Sequence, residues 1–176
     1  AGSGPIFNAT GLNGLPSLVF DGLMDSLGNG TKDEWAPRGN GSCELGADKT
    51  IFSVLEDQGS AGECCNGVFT SWYIQNEQGG GARVDNLNGL STVADNGQVV
   101  LSLDFAGSAQ RGFRDVRNHP TVVSATFNDS AASISADACM DGSVPKAVGA
   151  PGRFFSIGSR RNEVGRHFKG QISELL

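Results

Sequence analysis

Short runs that alternate apolar and polar residues cover much of this chain and predict β-strands. The clearest run is Gln98–Phe105, in which every odd-numbered position is apolar. A period of two places one face of a strand in the core and the other in solvent, so we expect Val99, Leu101 and Leu103 to be buried and Val100 to face outwards. Similar runs predict further strands at Leu15–Phe20, Thr50–Glu56, Val68–Ile74, Ala82–Leu87, Thr121–Phe127 and Ser133–Cys139.

The end of the chain predicts two more strands joined by a polar loop. Within residues 153–176, Phe155 and Ile157 alternate with their neighbours in the first strand. Phe168 and Ile172 do the same in the second, with polar residues between the two runs. We therefore expect the chain to finish with a pair of half-buried strands.

Turn-forming residues separate the predicted strands. Asn88-Gly89 is a hairpin turn signal, and residues 128–130 are expected to turn the hairpin after Thr121–Phe127. Residues 1–14 are interpreted as an extended lead-in and residues 23–49 as a long polar loop. Many short strands, with turns roughly every eight to twelve residues and no amphipathic helix, predict an all-β antiparallel two-sheet sandwich.

Short motifs in these strands resemble those of a known superfamily. Leu15–Gly22, LPSLVFDG, resembles an opening "hydrophobic-x-F-D-G" strand, and residues 155–175 carry a closing "F-x-I-G … F-x-G-x-I-S-E-L" pattern. The hairpin near residues 121–142 resembles an "A-T-Y … D-G" hairpin, with Phe127 where the tyrosine stands. These motifs are similar to those of laminin G-like domains of the concanavalin A-like lectin/glucanase superfamily. The resemblance implies a jelly roll whose last strand pairs with its first.

The resemblance covers nearly the whole chain, so residues 1–176 are expected to form one laminin G-like domain. The sequence begins with Ala1 rather than Met and stops at Leu176, where the last strand of this superfamily usually continues. We therefore expect the chain to be an excerpt of a longer protein.

The net charge of −6 argues against nucleic-acid binding, which depends on basic groups that neutralise phosphates. No run of residues is apolar enough to predict a membrane span. Acidic residues concentrate in the first half of the chain and most arginines in the second. This asymmetry is typical of two solvated faces; a head-to-tail contact between copies is the alternative.

The chain has four cysteines, which favour disulfides in an oxidising compartment. Adjacent cysteines rarely bridge each other, because that geometry is strained. Cys43 is therefore expected to pair with either Cys64 or Cys65, and Cys139 with the other. Buried free thiols are the alternative, whereas zinc is disfavoured because no C-x-x-C spacing occurs.

Four N-glycosylation sequons also favour an extracellular, secreted or virion-exposed location. Composition alone gives roughly two such sequons by chance, so their position matters more than their number. All lie in stretches predicted to be loops or turns, at Asn8, Asn29, Asn40 and Asn128.

The sequence shows no recognisable catalytic arrangement. Glycosidases need two carboxylates across the sugar, but Glu56, Asp57 and Glu63 lack the E-x-D-x-x-E spacing of glucanases with this fold. A serine or cysteine hydrolase needs a histidine base, and His119 and His167 lie in loops without a nucleophile context. The sequence therefore predicts that the chain is not an enzyme, with glycoside hydrolysis as a residual alternative.

Two kinds of ligand site remain. Trp35, in the long polar loop, and Tyr73, on the predicted Val68–Ile74 strand, are candidates for stacking on sugar rings. The resemblance implies one calcium ion at the rim of the sandwich, although aspartate is also a common turn former. The candidate calcium ligands are Asp21, Asp25, Asp33 and Asp141.

Together these features predict a non-catalytic extracellular recognition or adhesion module. Its expected partner is a glycan or glycoprotein bound through the rim loops, as the resemblance implies. The alternative is a structural subunit that contacts copies of itself in a filament, appendage, tail fibre or viral shell.

Overall fold

The structure is a computed structural model that describes residues 4–23, 25–28, 48–59, 66–75, 83–105, 108–128, 130–145, 154–160 and 166–176. All regular structure in these ranges is β-strand. The strands in chain order are β1 (Ile6–Leu12), β2 (Leu15–Asp21), β3 (Leu27–Gly28), β4 (Lys49–Asp57), β5 (Asn66–Gln75), β6 (Arg83–Asp95), β7 (Gln98–Phe105), β8 (Ser108–Arg111), β9 (Thr121–Phe127), β10 (Ala132–Ala136), β11 (Cys139–Val144), β12 (Phe154–Ile157) and β13 (Lys169–Leu175).

The strands form two antiparallel sheets. The larger sheet has the order β1-β2-β13-β4-β9-β10-β11, and the smaller sheet has the order β3-β12-β5-β6-β7-β8. This arrangement confirms the predicted all-β sandwich. None of the described ranges holds a helix that is long and apolar enough to cross a membrane.

The predicted closure of the sandwich is confirmed by the position of β13. Lys169 pairs with Asp21 and Ile172 pairs with Leu18, so the closing strand lies against β2. Its other neighbour is β4, and there the backbones approach closely at Gly170. A side chain at that position would overlap the carbonyl oxygen of Glu56, so only glycine fits.

The core lies between the two sheets. Near the β2 side, Phe20 and Phe168 meet edge to face with ring centroids 6.1 Å apart. Gly158 adopts a φ of 82°, and any side chain there would overlap the Phe20 ring. Burial of each large apolar side chain contributes about 1.5–3 kcal/mol. Other fully buried members of this core are Leu55, Val68, Leu90, Leu101, Leu103, Val123, Phe127 and Ile134.

The hairpin turn predicted at Asn88-Gly89 is wrong. β6 runs straight through Gly89, where a Cβ would lie 2.6 Å from the carbonyl oxygen of Phe69, so the glycine serves close strand packing. The actual turn is Asn96-Gly97, with φ values of 49° and 81°. Both positions need positive φ in the type I′ turn that suits a right-twisted hairpin.

Three strand details also differ from the sequence-based expectation. Part of the predicted lead-in forms β1, an edge strand that pairs with β2. Val100 is buried although its parity predicted solvent exposure, so β7 is covered on both faces. β10 ends at Ala136, and Asp137-Ala138 turns the chain into β11.

The two lateral edges of the sandwich are built differently. At one edge β8 contacts β11, and the chain crosses from the smaller to the larger sheet through residues 112–120. We call this side the closed edge. At the other edge β2 and β12 face each other and β1 is the outermost strand, and we call it the open edge.

Candidate functional site

A shallow pocket of about 290 Å³ lies at the closed edge, between the crossing segment and the β10–β11 turn. The crossing contributes Arg114, Asp115 and His119, and the turn contributes Asp137. We call this the corner pocket. It gathers a cation, two carboxylates and an imidazole in one place.

Two backbone hydrogen bonds join the beginning of the crossing segment to the smaller sheet. The amide of Gly112 donates to the carbonyl of Leu101 at 2.8 Å, and the amide of Val116 donates to the carbonyl of Val99, also at 2.8 Å. These bonds continue the pairing along β7 after β8 has ended. The residues between them therefore leave the sheet as a short protruding loop.

The same loop is also tied to the larger sheet, through Asp141 of β11. Oδ1 of Asp141 accepts hydrogen bonds from the amides of Phe113 at 2.9 Å and Arg114 at 3.1 Å. The Asp141 side chain is buried, whereas Phe113 is 77% exposed. The loop thus presents an aromatic ring to solvent on a backbone that both sheets hold.

Asp115 stabilises the loop by accepting backbone hydrogen bonds. Its Oδ1 accepts the amides of Val99 and Arg117, each at 3.1 Å. Burial raises the pKa of Asp115, but these two hydrogen bonds and the charges of Arg117 and His119 more than offset that effect and hold the pKa below its usual value. Asp115 is therefore ionised at neutral pH.

The other polar groups of the pocket have hydrogen-bonding atoms that a ligand can use. His119 Nδ1 lies 3.0 Å from the carbonyl oxygen of Arg117; a proton on Nδ1 satisfies this oxygen and leaves Nε2 for a ligand. Asp137 uses Oδ1 to accept the amide of Val122 at 3.0 Å, which leaves its second oxygen. Within the described ranges, the exposed Arg114 guanidinium forms no ion pair.

Backbone strain also concentrates around the corner pocket. Asn118, Asp137 and Ala138 have φ values of 58°, 49° and 62° without being glycine. Such conformations cost of order 1 kcal/mol or more, and they persist where the surrounding structure imposes them. They fix the direction in which the crossing and the turn present their side chains.

The predicted sugar-stacking residues lie elsewhere. Trp35 is outside the described residues; Tyr73 lies on β5, where its backbone pairs with Asp85, and its side chain is not described. Both remain predictions. The sequence analysis missed Phe113, although an aromatic residue between Gly112 and Arg114 in a polar loop is a usable signal.

The structure separates the aspartates predicted to bind calcium. Asp21 and Asp25 lie together, since the amide of Asp21 donates to Asp25 Oδ2 at 3.1 Å. Asp33 is outside the described residues. Asp141 lies five strand positions from β2 in the larger sheet, roughly 24 Å at the usual strand spacing. A single ion held by Asp141 together with Asp21 and Asp25 is therefore excluded, which corrects that part of the prediction.

Asp25 itself has an unusual environment. It is only 3% exposed, and its Oδ1 has no hydrogen-bond partner among the described residues. No group of three or more metal-ligating His, Cys, Asp or Glu side chains occurs in the part of the chain that the structure describes. Asp25 Oδ1 is thus the buried carboxylate oxygen at this rim that has no hydrogen-bond partner among the described residues.

The predicted modification sites are only partly described. Cys139 is an exposed free thiol, which differs from the bridge expected with Cys64 or Cys65; those two and Cys43 lie outside the described residues. Asn8 and Asn128 are exposed, in β1 and after β9 respectively. Asn29 and Asn40 lie outside the described ranges, and glycosylation of all four sequons stays a prediction.

Solved structures with this architecture come from several kinds of protein. Domains LG4-5 of the mouse laminin α1 chain align with a TM-score of 0.54 and 10% identity, over 90% of this chain but 39% of theirs. Domain 4 of a GH43 extracellular arabinanase from Geobacillus stearothermophilus, in complex with arabinotriose, aligns with a TM-score of 0.53 and 13% identity, over 99% of this chain and 74% of that one. An alginate lyase from Pseudomonas aeruginosa gives a TM-score of 0.53 and 14% identity, over 100% of this chain and 86% of its own.

These similarities establish the fold. The chain is a concanavalin A-like, laminin G-like jelly roll, as its strand motifs predicted. The sequence matches no protein-family model and no curated protein. At identities of 10–14%, the likeness concerns architecture only.

One functional expectation is corrected by the same findings. The sequence predicts that the chain is not an enzyme. That conclusion is wrong as an inference from this fold, because an alginate lyase shares the architecture over the whole chain. The missing E-x-D-x-x-E spacing rules out one catalytic arrangement, and it does not rule out catalysis.

Proposed function

We propose that this chain is an extracellular carbohydrate-binding domain that holds an oligosaccharide across the corner pocket and Phe113, which directly precedes the lining residue Arg114 in the chain. The observation that carries the proposal is the exposed Phe113 ring on a loop fixed from both sheets. An exposed aromatic ring gives a ligand a large apolar face to cover. A sugar ring, with apolar C–H groups on its face and hydroxyls at its edge, is a suitable cover.

The neighbouring groups fit the polar part of such a ligand. Arg114 can donate several hydrogen bonds, and the second oxygen of Asp137 and Nε2 of His119 can accept them. An aromatic platform with a few convergent polar groups is the usual composition of a small-molecule site. Because the loop is already fixed, little conformational entropy is lost when a ligand binds.

The solved structures support the class of ligand. One similar structure is a domain of an extracellular arabinanase in complex with arabinotriose, and another is named as an alginate lyase. Both names concern polysaccharides, which favours a glycan or glycoprotein partner and an extracellular location here. Arabinotriose and an alginate trisaccharide are therefore the first probes, and each mixture should also be analysed for shortened or unsaturated products.

The test compares two exposed phenylalanines. Phe113→Ala should weaken binding of the responsive trisaccharide by about tenfold or more in calorimetry, since truncation of a central aromatic contact has effects of this size. The matched control is Phe52→Ala, because Phe52 is also exposed but lies on β4 of the larger sheet. If Phe113→Ala binds as tightly as Phe52→Ala, the corner pocket is not the site.

We also propose that Asp25, with Asp21, binds one calcium ion at the rim. The supporting observation is the buried Oδ1 of Asp25, for which the described part of the chain provides no hydrogen-bond partner. Calcium takes six to eight oxygens, so backbone carbonyls or water would complete its shell. Calcium should raise the melting temperature of the wild type and of Asp141→Asn, but not that of Asp25→Asn. Equal shifts in all three would contradict the proposal.

The second candidate function is a subunit of an extracellular assembly. Exposed apolar side chains at the open edge favour it: Ile6, Phe7 and Leu27. Light scattering should then show a concentration-dependent increase in mass that Phe7→Ser reduces. A mass that stays monomeric at high concentration would contradict this candidate and leave the carbohydrate proposal unchanged.

A further inference from the structure

We infer that Asp141 is the positioning residue of the corner pocket: its carboxylate fixes the loop that carries Phe113 and Arg114, so that the site exists before a ligand arrives. This inference rests on the carbohydrate site proposed above. It assigns to Asp141 a role different from the calcium ligation that the sequence predicted.

The contacts support a positioning role. One oxygen of Asp141 accepts the amides of two successive loop residues, Phe113 and Arg114. Two amides that converge on one acceptor fix the orientation of the peptide group between them. The side chains on either side of that peptide group are the exposed ring of Phe113 and the exposed guanidinium of Arg114. The hydrogen bonds therefore set the angle between these two ligand contacts.

Glycine at position 112 makes this arrangement possible. A Cβ on Gly112 would overlap Oδ2 of Asp141, whose carboxylate would have to move away. Oδ2 is buried and has no hydrogen-bond partner among the described residues, and the carboxyl group of Asp141 fills the space beside Gly112. The close approach of the Asp141 carboxylate to the loop thus requires glycine at position 112.

Asp57 provides a control, because it is also a buried strand carboxylate that accepts hydrogen bonds, although both of its oxygens are bonded. It is also buried, and it accepts the amide of Gly59 at 2.7 Å and the hydroxyl of Thr92 at 2.6 Å. Its side chain connects β4 to β6 and bonds neither Phe113 nor Arg114, whereas its backbone carbonyl accepts the amide of Asn118 in the crossing segment at 2.7 Å. Asp57→Ala therefore removes a buried carboxylate and keeps this backbone bond.

The experiment measures trisaccharide affinity and backbone order in five variants of the full chain. Asp141→Ala should bind the responsive trisaccharide about tenfold more weakly than the wild type. Asp141→Asn keeps an oxygen acceptor for both amides and should bind within about threefold of the wild type. Asp57→Ala should lose stability but keep its affinity.

Gly112→Ala tests the match between the loop and the aspartate. It should weaken binding in the wild-type background and have little further effect in Asp141→Ala, where the obstructing oxygen is gone. Residues in contact give non-additive effects of this kind, whereas independent residues add. Additive losses would overturn the inference.

A ligand-independent measurement keeps the test decisive if a probe binds poorly. Amide order parameters of Phe113 and Arg114 should fall from about 0.85 towards 0.6 in Asp141→Ala and stay high in Asp141→Asn and Asp57→Ala. Unchanged order in Asp141→Ala overturns the inference. If Asp141→Ala does not fold, Gly112→Ala supplies the same comparison.

The two proposals fail in different ways. If Phe113→Ala weakens binding and Asp141→Ala does not, the positioning role is wrong and the site stands. If Phe113→Ala has no effect on affinity while Asp141→Ala disorders the loop, the positioning role of Asp141 is correct and the proposed carbohydrate site is wrong.

Discussion

The closed and open edges of the sandwich are built in opposite ways: a chain segment crosses between the sheets at the closed edge, whereas the open edge ends in an exposed strand. At the closed edge, residues 112–120 cross between the sheets and are bound to both, through β7 on one side and Asp141 on the other. At the open edge β1 ends the larger sheet, and its Ile6 and Phe7 are 69% and 66% exposed. A pocket of about 180 Å³ lined mainly by apolar residues lies beside Phe7.

This difference separates two kinds of surface chemistry. The closed edge combines one exposed aromatic ring with fixed polar groups, which suits a specific ligand with hydroxyls. The open edge offers apolar side chains and an edge strand, which suit less selective contacts between proteins. We therefore expect specific ligand recognition at the closed edge, where hydrogen bonds hold the backbone, and association between proteins at the open edge.

The largest expected effect comes from the core on the open-edge side. Phe20→Ala should lower the free energy of unfolding by roughly 3–5 kcal/mol, since the ring is buried and packs against both Phe168 and Gly158. Urea denaturation measures this loss. A loss below about 1 kcal/mol would mean that this edge is loosely packed and that the contrast with the closed edge extends into the core.

Removal of the buried Asp57 carboxylate should cause the next largest loss in the free energy of unfolding. Asp57→Ala leaves the Thr92 hydroxyl and the Gly59 amide without their acceptor and should cost roughly 2–3 kcal/mol. The same urea experiment measures it, and Asp57→Asn, which keeps an acceptor, should recover part of the loss. No difference between the two variants would contradict the hydrogen-bonding explanation.

Acid should loosen the closed edge selectively. The pKa of Asp115 is held below its ordinary value of 3.8, so its stabilising contribution is present above pH 3.8 and is lost as the pH falls through the lower folded-state value. Hydrogen exchange at the Val99 and Arg117 amides should therefore accelerate in this acidic range, relative to amides of β1. Equal acceleration at both edges would indicate global acid unfolding instead.

The smallest effect on stability is expected at the open edge. Phe7→Ser should change the free energy of unfolding by no more than about 0.5 kcal/mol, because the ring is already mostly in solvent. Thermal melting of the dilute protein measures this. A large destabilisation would show that Phe7 closes the apolar pocket rather than bordering it.

Much of the fold could be predicted because alternation reports directly which face of a strand is buried. Gln98–Phe105 and the β2–β13 pairing followed from such patterns and from the strand motifs. The pattern failed where a residue serves a tertiary contact. Gly89 looks like a turn residue but allows two strands to approach, and Val100 is buried because β7 is covered on both faces.

The candidate site was less predictable for a physical reason. Its geometry depends on Asp141 reaching amides 27 and 28 residues earlier in the chain, and no local pattern encodes such a contact. The sequence predicts Asp141 as a candidate calcium ligand, and only the structure reveals its hydrogen bonds to the loop amides. Phe113 lies in a loop without periodicity, so alternation could say nothing about its exposure.

The most direct test of the account is to titrate the ¹⁵N-labelled wild-type protein with arabinotriose and with an alginate trisaccharide and to follow its amide signals. The account predicts saturable shifts, for at least one of the two sugars, that cluster at residues 112–121 and 136–138 of the closed edge. Shifts centred on the open edge, or none with either sugar at millimolar concentration, would contradict a carbohydrate site at the corner pocket.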